Sequence, residues 1–74
     1  GVNKERRIKM KNATAYKMVR KELENFIKNE RVTCTMQLYA YAGGYYYGDD
    51  VPYFVIYDVI REFKAKYGLV DGWE

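Results

Sequence analysis

The sequence predicts a small α+β domain of α-β-β-α order, with two helices packed on one face of a β-hairpin. Three observations carry this expectation: an apolar stripe at helical spacing after Asn12, a period-2 alternation from Val32 to Ala42 that stops at Gly43-Gly44, and a second helical stripe after Pro52. A chain of 74 residues is one domain at most. With 49% hydrophobic and 18% aromatic residues it lies far from the composition of disordered chains.

Residues 1–11 read as a basic, flexible arm, because only Val2, Ile8 and Met10 offer apolar anchors among Lys4, Arg6, Arg7, Lys9 and Lys11. Residues 12–74 form the single domain. Tyr16, Val19, Leu23, Phe26 and Ile27 fall on one stripe and predict a helix over 13–28. Asn12 or Thr14 caps its start. Its end is expected at Lys28-Asn29, where Asn tolerates the left-handed conformation and Lys28 suits the negative end of the helix dipole.

From Val32, the residues Cys34, Met36, Leu38, Ala40 and Ala42 alternate with Thr33, Thr35, Gln37, Tyr39 and Tyr41, which is the pattern of a strand. Gly43-Gly44 supplies a two-residue turn, and Tyr45-Tyr46-Tyr47 the return strand. A competing reading makes 32–42 a helix ended by Gly43 and gives a three-helix bundle. Asp49-Asp50 ahead of Val51-Pro52 is a helix start. The helix runs over 52–67, buries Val55, Ile56, Val59, Ile60, Phe63 and Tyr67, carries Glu62 and Lys66 as an i,i+4 pair, and stops at Gly68. Leu69, Val70 and Trp73 then fold back over the core. That core is expected from Tyr16, Val19, Leu23, Phe26, Cys34, Met36, Leu38, Val55, Val59, Ile60 and Phe63.

Histidine is absent and there is one cysteine, which excludes His-based metal sites, His general bases, Ser-His and Cys-His nucleophiles, and an internal disulfide. The expectation is a non-enzymatic module with no catalytic residue, metal or cofactor. Cys34 alternates onto the buried face, where a free cysteine acts as a small hydrophobe, and a lone thiol fits a reducing cytoplasm. The longest mainly apolar run, 51–60, is broken by Pro52 and Asp58 and falls far short of the ~20 residues that span a bilayer, so no membrane partner is expected. Tyr47-Gly48-Asp49-Asp50 spells the YGDD of viral RNA-dependent polymerases. Only those residues match, and such enzymes need a further carboxylate and a palm several times longer than this chain, so the helix-start reading stands.

Charge is divided along the chain. The net +3 is the balance of +7 over residues 1–21 and −4 over residues 22–74. A concentrated positive end attracts phosphate or an acidic protein surface. In the hairpin register Ala42 faces Tyr45, Tyr41 faces Tyr46 and Ala40 faces Tyr47, which leaves Tyr39, Tyr41 and Tyr46 on the face the helices do not cover. The function expected is nucleic-acid binding, with phosphates on Arg6, Arg7, Lys9, Lys11, Lys17, Arg20 and Lys21, and bases stacked on the three tyrosines. The alternative is a protein-binding inhibitor or adaptor that docks the same tyrosine face on an acidic protein surface. The small size and the Lys, Asn and Tyr bias look like those of a phage or mobile-element accessory protein. Finally, the first strand outruns its return. The unpaired edge at Thr33, Thr35 and Gln37 carries no charge and predicts a homodimer through a continuous sheet.

Overall fold

A computed structural model describes residues 11–73. The chain folds as three helices, α1 (Asn12–Asn29), α2 (Thr35–Tyr45) and α3 (Tyr53–Tyr67), with no strand among the described residues. The α-β-β-α expectation is therefore overturned in favour of the competing three-helix arrangement. The one strand-like contact is an isolated parallel bridge between Cys34 and Val70.

The reason lies in an overlap of periods. The alternating set contains Cys34, Leu38 and Ala42, spaced four apart and continued by Tyr46, so the same residues also form a helical stripe. They are exposed by 2%, 0%, 0% and 6%, and that stripe is the face α2 buries. A helix pairs its backbone groups within its own segment, whereas a three-residue return strand leaves most of residues 32–37 unpaired. Gly43 and Gly44 lie in the last turn of α2, and positive φ is found instead at Gly48, Gly68 and Gly72.

α1 buries Ala15, Val19 and Leu23, with Tyr16, Phe26 and Ile27 packed at the margin. Its ends differ from expectation. Lys11 occupies the N-cap position and no side chain caps it; the helix closes on extended Glu30, whose N–H donates to the Phe26 carbonyl at 2.9 Å, so Asn29 does not adopt the left-handed conformation.

α2 starts through a side-chain and tail construction. The Gln37 Oε1 accepts the backbone N–H of Thr33 at 2.7 Å and of Cys34 at 3.1 Å, while its Nε2 donates to the Arg31 carbonyl at 2.9 Å. This is the reciprocal half of a capping box. The segment after Gly68 returns to the same helix end: the Thr35 N–H donates to the Val70 carbonyl at 2.8 Å and the Met36 N–H to that of Gly72 at 3.2 Å. Helix-start amides that lack intrahelical partners are thereby paired. Leu69 enters the core, but Trp73 stays 68% exposed. Thr33, Thr35 and Gln37 thus form no sheet edge. Thr35 is buried with its hydroxyl accepting the Gly72 N–H at 2.7 Å, and Thr33 and Gln37 are bonded to each other. The homodimer argued from that edge loses its basis.

α3 packs against both other helices, so the core runs along it. Pro52 sits just outside its first turn, and Gly68 closes it in the left-handed conformation with φ +65°. Val55, Ile56, Val59, Ile60 and Phe63 are buried as expected, whereas Tyr67 stays at the rim. Of the other expected core residues, Val19, Leu23, Cys34 and Leu38 are buried, and Tyr16, Phe26 and Met36 are only partly so. Ala15, Ala42, Tyr46 and Leu69 complete the core.

Candidate interaction surfaces

The charges of α1 divide into two sets. One set reaches sideways to the neighbouring helices. The Tyr16 hydroxyl donates to Asp58 at 2.5 Å, the Arg20 Nε donates to Glu62 at 3.1 and 3.2 Å, and the Lys66 Nζ donates to Glu24 at 3.2 Å. The partner numbers differ by 42 in each pair, so α1 and α3 run parallel and in register. Glu62 and Lys66, expected to pair along α3, each reach across to α1 instead. The Lys66 hydrogen bond holds the Glu24 carboxyl below its usual range, with Lys28 one turn on adding a smaller effect, and the Glu24 carboxylate raises Lys66 in turn. Glu22 faces α2 and accepts the Tyr41 hydroxyl.

The other set faces out. At about 100° per residue, Lys17, Lys21 and Lys28 fall within about 40° of one another, opposite the buried face of α1. All three are exposed, and among the described residues none has a carboxylate oxygen within 4.0 Å. Lys11 is exposed at the helix start. Of the basic residues singled out in the sequence, Lys11, Lys17 and Lys21 are thus open, Arg20 is turned to Glu62, and Arg6, Arg7 and Lys9 lie outside the described residues. Lys28, assigned above to the helix dipole alone, belongs to the stripe.

The three tyrosines expected to share a face are dispersed, because a helix turns residues 39 and 41 about 200° apart. Tyr46 is buried at 6% exposure, its hydroxyl has no partner among the described residues, and burial, followed by the charge of Glu22, pushes that hydroxyl up to about 12. Tyr41 lies stacked on Phe26 with centroids 4.1 Å apart. Its hydrogen bond to Glu22 raises it to about 12. Tyr39 is half-buried and meets the Tyr57 ring edge-on at 5.3 Å.

A different aromatic surface emerges on the outward face of α3. Tyr53, Phe54 and Tyr57 are 61%, 50% and 45% exposed, and the Tyr53 and Tyr57 rings meet edge-on at 4.8 Å. Tyr39, Phe54 and Tyr57 line an open groove of about 550 Å³, with Arg61 and Lys64 further along the helix. The carboxylates of Asp58 and Asp71 also border it, and Arg61 lies 3.8 Å from Asp58. The i, i+4, i+8, i+11 spacing of Tyr53, Tyr57, Arg61 and Lys64 is legible in the sequence as a stripe complementary to the buried one.

Tyr47 and Gly48 form a turn, with Gly48 at φ +82° and the Asp49 N–H donating to the Tyr46 carbonyl at 3.0 Å, and no hairpin carries Asp49 and Asp50. Among the described residues no cluster of acidic or cysteine side chains could hold a metal ion, and no helix is long and apolar enough to cross a membrane. Comparison with protein-family models, curated proteins and solved structures finds no match to this chain.

Proposed function

We propose that this chain is a non-enzymatic nucleic-acid-binding module of the reducing cytoplasm, whose phosphate contacts run along the outward stripe of α1. The observation that carries this reading is the sorting of α1's charges. Arg20, Glu22 and Glu24 are spent on neighbouring helices, while Lys17, Lys21 and Lys28 face solvent with no carboxylate oxygen within 4.0 Å among the described residues. At 1.5 Å rise per residue the three ammonium groups are spaced about 6 Å and about 10 Å along the helix, so each can meet a different phosphate of a backbone that carries a charge every ~1.7 Å of duplex. Lys11 and the arm residues Arg6, Arg7 and Lys9 extend the positive tract. Stacking on Tyr41 and Tyr46 has no part in this reading, because one is bonded to Glu22 and the other is buried. Contacts of this kind position a protein on the backbone without reading sequence. A buried free thiol at Cys34 supports the reducing location.

Fluorescence anisotropy with a mixed-sequence oligonucleotide pool tests the reading. Binding at low salt that is lost in a Lys17→Glu/Lys21→Glu variant, and kept in Arg20→Ala, is the result expected. No binding at low salt contradicts it.

A further inference from the structure

The outward face of α3 is acidic before its start, aromatic over its first half and basic over its second. Asp49 and Asp50 precede the helix, Tyr53 and Tyr57 follow one turn apart with rings in contact, and Arg61 and Lys64 occupy the next two turns. Tyr39 of α2 closes one side against Tyr57. An exposed cluster of aromatic rings beside an arginine has the make-up of an interface centre.

We infer that this face docks a second copy of the chain, the two α3 helices crossing antiparallel about a two-fold axis at Tyr57. The order of charges selects this occupant. An antiparallel two-fold sets each position beyond Tyr57 against the position equally far before it. Arg61 then lies over the ring of Tyr53 in the other copy, a cation–π contact, and Lys64 lies opposite position 50, in the other copy's acidic turn of Asp49 and Asp50. Each contact is made twice. Arg61 is free to swing to such a partner, since its side chain is 72% exposed and its ion pair with Asp58 spans 3.8 Å. A polyanion fits the same face poorly, because Asp58 and Asp71 border it beside the two cations. The surface is separate from the lysine stripe of α1, so self-association stands or falls independently of nucleic-acid binding.

Sedimentation equilibrium of the full chain, run over a range of micromolar concentrations, measures the association directly. A mass approaching twice 8.8 kDa is expected. Tyr57→Arg places like charges on the axis and raises the dimer dissociation constant by about tenfold or more, the loss typical of a central interface residue. Asn25→Arg, at an exposed site on α1, leaves it unchanged. Should Tyr57→Arg lose helical circular dichroism, Lys64→Glu decides: it weakens the dimer alone and regains affinity when Asp49→Lys is added. A mass of 8.8 kDa at every concentration overturns the inference. So does a dimer indifferent to both Tyr57→Arg and Lys64→Glu. A monomer whose oligonucleotide affinity falls on Arg61→Glu also overturns it and assigns the face to nucleic acid.

Discussion

The Tyr16 hydroxyl donates to the Asp58 carboxylate at 2.5 Å, and the same 42-residue offset recurs at Arg20–Glu62 and Glu24–Lys66. A constant offset over three successive turns means that α1 and α3 point the same way, and α2 is the segment that carries the chain back between them. Polar contacts thus fix the register on the solvent side of a seam whose other side is Val19, Leu23, Val59 and Phe63.

Alkaline pH weakens this fold. Tyr16 is held above the ordinary tyrosine value of 10.0 by its bond to Asp58, Tyr41 is raised to about 12 by its bond to Glu22, and Tyr46 is raised to about 12 by burial. The neutral phenols are favoured in the folded chain, so the unfolded chain loses these protons first. Stability is therefore full below pH 10.0 and is lost as pH rises towards about 12. Denaturant midpoints measured alongside tyrosinate absorbance are expected to stay level to pH 10.0 and then drop. A level midpoint up to pH 12 contradicts the burial and bonding of these hydroxyls.

Glycine substitutions separate the helical fold from the hairpin. Gly43 lies in the last turn of α2 with nothing within 4 Å of an added Cβ, so Gly43→Ala is expected to stabilise by about 0.8 kcal/mol. Gly68 sits at φ +65°, and Gly68→Ala is expected to destabilise by about 1 kcal/mol. Urea unfolding measures both. A hairpin turn at Gly43-Gly44 needs positive φ and reverses the first sign.

Tyr46 carries a buried hydroxyl with no hydrogen-bond partner among the described residues. Removing an unsatisfied polar group while keeping the ring relieves its desolvation cost, so Tyr46→Phe is expected to stabilise by about 1 kcal/mol. Tyr46→Ala empties a core site and is expected to cost about 3 kcal/mol or more. Thermal unfolding checks both, and a destabilised Tyr46→Phe shows that the hydroxyl has a partner.

Much of this architecture is legible before any coordinates. The stripe of Val19 and Leu23, the stripe from Val55 to Phe63 and the stop at Gly68 all belong to elements with a single possible period. Residues 34–46 are different, because Cys34, Leu38 and Ala42 satisfy period 2 and a four-residue spacing together, and the β-branched and aromatic content tips the choice to a strand. As a strand the segment would gather Tyr39, Tyr41 and Tyr46 on one open face and Thr33, Thr35 and Gln37 on one edge, and as a helix it does neither. Lys17 and Lys21 were visible as basic residues, yet their separation from Arg20 depends on Glu62, 42 residues away, which no local pattern reveals. The face of Tyr53, Tyr57, Arg61 and Lys64 follows from the same helical period as the buried stripe, but its meeting with Tyr39 depends on residues 35–45 being a helix.

The salt dependence of oligonucleotide binding tests the lysine stripe most directly. Each phosphate neutralised on duplex DNA contributes about −0.9 to the slope of log affinity against log salt, so replacing Lys17, Lys21 and Lys28 together by alanine is expected to weaken binding and flatten the slope by about 2.7. A slope unchanged by the triple replacement, or no binding by the unaltered chain at low salt, contradicts the account.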